Sequence, residues 1–104
     1  IDAGYVVFAS GQLPIDPATG IMPEGIEAQT AMSLANVKAI LAEAGLTTDN
    51  VVKTTVFLAD MAEFAAMNVV YSKNFSEPFP ARSAVAVKDL PKGARVEIEV
   101  IAAR

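Results

Sequence analysis

Three charged side chains in the last quarter of the chain are the first residues whose types and spacing could perform chemistry. Arg82 precedes a short alternating segment, and Glu97 and Glu99 follow a predicted turn at residues 90–93. A guanidinium binds a carboxylate through two parallel hydrogen bonds, and a glutamate can orient or deprotonate a water molecule. The three residues therefore indicate a site for a small ligand that carries a carboxylate.

The predicted pairing of the last two strands would bring these side chains together. Residues 83–88 and 95–102 alternate between apolar and polar positions, which predicts a hairpin in which Val85 faces the core. In one of the two registers that fit the turn, Arg82 lies directly opposite Glu99. One face then carries Arg82, Ala84, Ala86, Glu97 and Glu99. An ordinary cross-strand ion pair, contributing about 0.2–1 kcal/mol, explains the same pattern and is favoured by the residues alone.

Other polar residues are weaker candidates. Ser10 and Gly11 offer a hydroxyl and an unhindered backbone N–H at a strand end, although turns account for most such dipeptides. Asn68 lies within a predicted helix, where a surface position is the default and a hydrogen bond to a loop is the alternative. We interpret Lys53 as an exposed strand lysine.

Composition excludes several kinds of chemistry. The sequence contains no His and no Cys. A zinc site of nitrogen and sulfur ligands, a thiolate nucleophile and a Ser-His-Asp triad are therefore ruled out. We expect the 104 residues to form a single domain over residues 1–104. We expect no metal and no cofactor. The formal net charge is −4 without a basic cluster, which argues against a broad nucleic-acid surface. No membrane-spanning run or leader pattern is present, so we expect a cytoplasmic protein.

The hydrophobic periodicity predicts the order strand, helix, strand, helix, strand, strand. The elements are predicted at residues 5–9, 24–44, 51–59, 61–75, 83–88 and 95–102. Asp60 and Glu63 predict a capping box at the second helix, and Gly45 predicts the end of the first. We expect an α+β fold in which two helices cover one face of a mixed sheet. Because 53% of the residues are hydrophobic, we expect partner subunits to cover the other face.

Five segments together resemble the reactive intermediate deaminases, the RidA/YjgF family. They are SGQLPIDPATG at residues 10–20, QTAMSLANVKAILAEAG at 29–45, VVKTTVFLADM at 51–61, FPARSAV at 79–85 and LPKGARVEIEVIA at 90–102. The order and spacing of these motifs are specific, and they span nearly the whole chain. We therefore expect the properties of that family.

The resemblance implies a chorismate-mutase-like α+β fold that assembles as a homotrimer, with the sheets lining a central barrel and the sites between subunits. It implies hydrolysis of enamine/imine intermediates such as 2-aminoacrylate to 2-keto acids and ammonia. Arg82 of the PARS segment would bind the substrate carboxylate, and Glu97, the first acid of EIEV, would activate the water. The pocket would also be lined by Ser10, Gly11, Asn68 and the backbone at Ala84.

Two alternative functions stay open at this point. A trimer with the same pocket could bind keto acids or regulate a protein without turnover. A ribonuclease or translation inhibitor is the other alternative, which the acidic chain without His disfavours.

Two departures from the family pattern affect the expected site. Relatives usually carry an N-terminal segment with a GPYSQ-like motif, whose tyrosine closes the pocket, whereas this sequence starts after that motif at Ile1. Many relatives also have Cys where this chain has Ala84. If backbone groups perform the role at that position, we expect the alanine to be tolerated.

Overall fold

The computed structural model describes all 104 residues and contains four strands and two α-helices in the predicted order. They are β1 (Val6–Gln12), α1 (Ile26–Glu43), β2 (Val51–Leu58), α2 (Phe64–Ser72), β3 (Ala81–Ala86) and β4 (Val96–Ala103). Short 3-10 turns at Thr48–Asn50, Met61–Glu63 and Pro91–Gly93 precede β2, α2 and β4. The α+β class is confirmed.

The strands form one mixed sheet in the order β1-β4-β2-β3, in which only β2 and β3 are parallel. The predicted hairpin between the last two strands is therefore wrong. Parallel neighbours need a crossover connection, and α2 supplies it between β2 and β3. The strand β4 lies centrally between β1 and β2, with every second residue buried on the helix-covered face, and β3 lies at the edge of the sheet.

Both helices pack on one face of the sheet, as predicted. The apolar stripe of α1 is buried there, including Leu34, Val37 and Leu41, and Met67 of α2 is fully buried beside it. The opposite face, called the free face below, carries Phe8 and Val85, which are 49% and 43% exposed. The prediction that Val85 faces the core is therefore wrong. Neither helix is both long and apolar enough to cross a membrane.

The ends of the helices follow the predictions in part. Gly45 adopts a positive φ of 75° just beyond α1, as expected for a glycine that ends a helix. Asp60 accepts a hydrogen bond from the Ala62 N–H and caps a 3-10 turn rather than the helix itself. The predicted capping box does not form, because the Glu63 carboxylate instead accepts three hydrogen bonds from Arg95. The helix α2 is shorter than predicted at both ends, since Met61–Glu63 form the 3-10 turn and the helix ends at Ser72.

Candidate functional site

Arg82 lies on the edge strand β3, directly beside Thr54 of β2, with its side chain on the helix-covered face. Its Nη1 donates a hydrogen bond to Oδ1 of Asn68 at 2.5 Å. Its Cζ lies 4.7 Å from the ring centroid of Tyr71 and 5.1 Å from that of Phe64. An arginine held by one amide and two rings keeps most of its five N–H donors available.

The helix α2 holds these partners because they are spaced four and three residues apart. Phe64, Asn68 and Tyr71 therefore lie on one stripe of the helix, which faces the end of β3. The sequence prediction singled out Asn68 but neither of the two aromatic residues beside it. Their spacing relative to Asn68 was the signal that could have shown all three to be neighbours. The Tyr71 hydroxyl is 2.7 Å from Oγ1 of the buried Thr54.

Arg82 is the only one of the three arginines that has no carboxylate partner. Arg95 pairs with Glu63 at 2.6 Å, and Arg104 pairs with Asp2 at 2.7 Å. Hydrogen bonds to these carboxylates raise the pKa of both arginines above the ordinary value. The ion pair between Arg104 and Asp2 also lowers the pKa of Asp2, chiefly through the hydrogen bond from Arg104. The unpaired guanidinium of Arg82 is therefore the one suited to an external carboxylate.

A cavity of about 320 Å³ opens beside Arg82. Asn68 and Arg82, joined by their hydrogen bond, form its polar end. Tyr71, Phe75, Phe79 and Pro80 form its aromatic and apolar walls, and Ser72 also lines it. An apolar cleft with a few convergent polar groups is the usual form of a small-molecule site. Its lining suits a ligand with a carboxylate at one end and a short apolar chain at the other.

Glu97 belongs to the other face of the sheet. It alternates along β4 with Val96 and Ile98, which are fully buried beneath the helices, so its carboxylate lies on the free face. Gly11, at the irregular end of β1, approaches it so closely that a Cβ there would overlap Oε2 and lie 2.7 Å from Cδ. A side chain at position 11 would therefore fit only if the Glu97 side chain turned aside. No protein group donates a hydrogen bond to this carboxylate or pairs with it.

The predicted site residues thus fall into two groups. Arg82 lies with Asn68 on the helix-covered face, and Ala84 follows on the same side of β3, half-buried against the core beside Val56. The second group lies on the free face. It contains Ser10, Gly11, Glu97 and Glu99.

The prediction that Arg82, Ala84, Ala86, Glu97 and Glu99 share one face is wrong. It depended on the hairpin, and the insertion of β2 between β3 and β4 removes the pairing of Arg82 with Glu99. Glu99 instead has Thr55 as its neighbour on β2 and borders a second cavity of about 470 Å³ with Ser10 and Phe8. Lys53 is half-buried and donates a hydrogen bond to Ser83 at 2.8 Å.

Comparison with known proteins connects this arrangement to one family. The profile of the family described as endoribonuclease L-PSP matches residues 1–104. A RutC family protein of Haemophilus influenzae is 52% identical over 108 residues, covering 100% of this chain and 83% of that protein. A 2-iminobutanoate/2-iminopropanoate deaminase of Salmonella typhimurium is 50% identical over 107 residues, covering 100% of this chain and 84% of that protein.

The fold agrees with these matches. The crystal structure of Escherichia coli TdcF with bound serine superimposes with a TM-score of 0.96 at 46% identity, covering 100% of this chain and 84% of that one. The identity is far above the level at which only a fold is shared. The chain therefore belongs to the endoribonuclease L-PSP family, the RidA/YjgF family of reactive intermediate deaminases.

Proposed function

We propose that the protein is a 2-iminobutanoate/2-iminopropanoate deaminase, which hydrolyses these imines and their enamine tautomers, such as 2-aminoacrylate, to 2-keto acids and ammonia. The observation that carries this proposal is Arg82, the one arginine without a carboxylate partner, at the polar end of an apolar cavity. The relative from Salmonella typhimurium, half identical along the whole chain, is named for this activity.

The cavity fits such a substrate in size and polarity. A bidentate hydrogen bond from Arg82 would hold the carboxylate, and the Asn68 side chain would stay beside it. The short apolar chain at C3 would lie against Phe75, Phe79 and Pro80. A substrate with a charged side chain would have no partner on these walls, so the cavity favours imines of small apolar amino acids.

The reaction requires a positioned water rather than a covalent nucleophile. An enamine first accepts a proton at C3 and becomes an iminium ion, whose C2 is electrophilic. Water then adds to C2 while Glu97 accepts one of its protons. Glu97 returns this proton to the nitrogen of the resulting amino alcohol, and ammonia leaves as the C–N bond breaks, the carbonyl forms and the hydroxyl releases its proton to solvent. Orientation by Arg82 and proton transfer by a carboxylate are the two contributions this chain can supply.

A homotrimer would unite the two halves of the site. Arg82, Asn68 and Ala84 of one subunit would face Glu97, Gly11 and Ser10 of the next. Two features support this assembly: the halves lie on opposite faces of one sheet, and the free face exposes apolar side chains such as Phe8 and Val85. In a ring of identical subunits each interface joins two different surfaces, so three equivalent sites arise.

A dehydratase assay tests the function directly. A pyridoxal-phosphate dehydratase generates 2-aminoacrylate in the cuvette, and the release of pyruvate is followed with and without this protein. We expect the wild type to accelerate the release of pyruvate. Arg82→Ala should lose about 100-fold in kcat/KM, since two charge-assisted hydrogen bonds are removed. Arg104→Ala, the matched control, should keep full activity. Full activity of Arg82→Ala would overturn the assignment. Binding of 2-ketobutyrate without acceleration would identify a ligand-binding protein instead.

A further inference from the structure

Two side chains from two other elements connect Arg82 to the interior of the protein. Thr54 of β2 is hydrogen-bonded to Tyr71 of α2, and the ring of Tyr71 contacts the guanidinium of Arg82 on β3. Resting on the proposed function, we propose that Thr54 and Tyr71 are positioning residues: they fix the plane in which Arg82 presents its N–H donors to the substrate carboxylate.

The ring of Tyr71 is itself immobilised. Its residue is 6% exposed, its hydroxyl is 2.7 Å from Oγ1 of Thr54, and its ring centroid lies 4.7 Å from that of Phe75. Thr54 is fully buried and belongs to a central strand, so the hydroxyl contact ties the ring to a rigid part of the sheet. The ring therefore has one orientation relative to the strands.

Arg82 needs such support because of its location. It lies on the exposed edge strand, where a long flexible side chain loses much conformational freedom when it is fixed. Its single hydrogen bond within the protein, to Asn68, restrains one terminal nitrogen and leaves rotation about that contact. Packing against the rings of Tyr71 and Phe64 restrains the remaining rotation while the in-plane N–H groups stay open to a ligand.

The register of the sheet makes this linkage short. Arg82 is the direct neighbour of Thr54 in the parallel pair of β2 and β3. Thr54, which anchors the tyrosine hydroxyl, and Arg82, which the tyrosine ring supports, thus start from adjacent backbone positions on the same face. A change at Thr54 would be transmitted to the guanidinium through Tyr71 without a direct contact between Thr54 and the ligand.

Binding of 2-ketobutyrate, a product of the proposed reaction, provides the first test. We expect Tyr71→Leu to raise the Kd about tenfold because both the ring and its anchor are lost. Tyr71→Phe and Thr54→Val each keep the ring and should raise the Kd only about threefold, and the double variant should be no worse than either single one. Met67→Leu, a volume-conserving change at a fully buried residue of the same helix, should leave the Kd unchanged.

Arginine side-chain NMR gives a readout that is independent of turnover. The chain has three arginines, so only three Nε–Hε resonances need assignment. That of Arg82 should show a ring-current shift in the wild type and in Tyr71→Phe, and this shift should decrease in Tyr71→Leu. If Tyr71→Leu does not fold, Phe64→Leu removes the other ring from a partly exposed position and should reduce the shift in the same way.

Two results would overturn the inference. One is an unchanged Arg82 resonance in Tyr71→Leu, or in Phe64→Leu if Tyr71→Leu does not fold. The other is strictly additive effects of Tyr71→Phe and Thr54→Val on the Kd. A wild type that binds 2-ketobutyrate and shows the shifted resonance, but does not accelerate keto-acid release, would contradict the proposed function and leave the positioning role established.

Discussion

Arg82 and Glu97 project from opposite faces of the same sheet. Arg82 neighbours the buried Thr54 and lies under α2, whereas Glu97 neighbours Phe57 and alternates with residues buried on the helix-covered side. A single copy of the chain cannot direct both side chains at one small molecule. Under the proposed assembly, each subunit supplies the guanidinium for one site and the carboxylate for another.

Complementation between two impaired variants checks this arrangement. Arg82→Ala and Glu97→Gln are each expected to retain only about 1% of the activity, since every site in either homotrimer lacks one group. After co-refolding in equal amounts, about a quarter of the sites should combine an intact Arg82 with an intact Glu97 from the neighbour. Keto-acid release in the dehydratase assay measures the recovery. No recovery in mixed trimers, verified by mass spectrometry of tagged subunits, would show that both groups act within one chain.

The two glutamates of β4 provide a matched pair of variants. Glu97 and Glu99 are both half-buried on the free face, two residues apart, but only Glu97 lies against Gly11. Glu97→Gln should lower kcat by about 100-fold, the range expected for loss of a general base, with little change in KM. Glu99→Gln should retain most of the activity. Equal losses from both variants, or a loss confined to Glu99→Gln, would assign the proton transfer differently.

Gly11→Ala should impair the reaction more than it impairs the fold. The new Cβ would meet the flexible end of the Glu97 side chain, which can move aside, so we expect a change below about 1 kcal/mol in the free energy of unfolding. The displaced carboxylate should lower kcat at least about tenfold. Urea denaturation and the dehydratase assay measure the two effects. In a Glu97→Ala background the same substitution should be neutral or stabilising, because the overlap is gone.

The ion pair between Asp2 and Arg104 should make stability depend on pH in the acid range. The hydrogen bond from Arg104 lowers the pKa of Asp2 in the folded protein. The stabilisation by this ion pair is therefore fully present above the pKa of Asp2 in the unfolded chain, about 3.9, and is lost as the pH falls through the lower pKa of the folded protein. The stability difference between the wild type and Asp2→Asn should therefore be constant near neutral pH and shrink below about pH 4. Urea denaturation at several pH values measures it. A difference that persists at the lowest pH would exclude this ion pair as the cause.

The periodicity of the sequence was sufficient to place the elements. The stripe of α1 and the alternation of β4 each depend on residues close in the chain, and both occur as predicted. Strand pairing was predicted wrongly because it depends on competition between distant segments. The two last strands are adjacent in sequence, yet β2 and β3, joined through α2, form the pair, and the strand-helix-strand order was the signal for that parallel arrangement.

The same limit applied to the candidate site. Arg82 and Glu97 were selected by residue type and by family resemblance, and neither criterion depends on which strands pair. The predicted contact between Arg82 and Glu99, in contrast, depended on the hairpin of the last two strands. The neighbours found in the structure, Asn68 for Arg82 and Gly11 for Glu97, are distant in sequence. Only the folded arrangement of a helix stripe and an irregular strand end brings them together.

The close approach of Gly11 to Glu97 makes two positions of the sequence interdependent. A side chain at position 11 is compatible with this backbone only when residue 97 is shorter than glutamate or turned away. Among relatives the two positions should therefore vary together, and a bulkier residue after the serine of the SGQ motif should accompany loss of the first acid of the EIEV motif. Members that have diverged toward binding without hydrolysis would then be recognisable from two letters of their sequence.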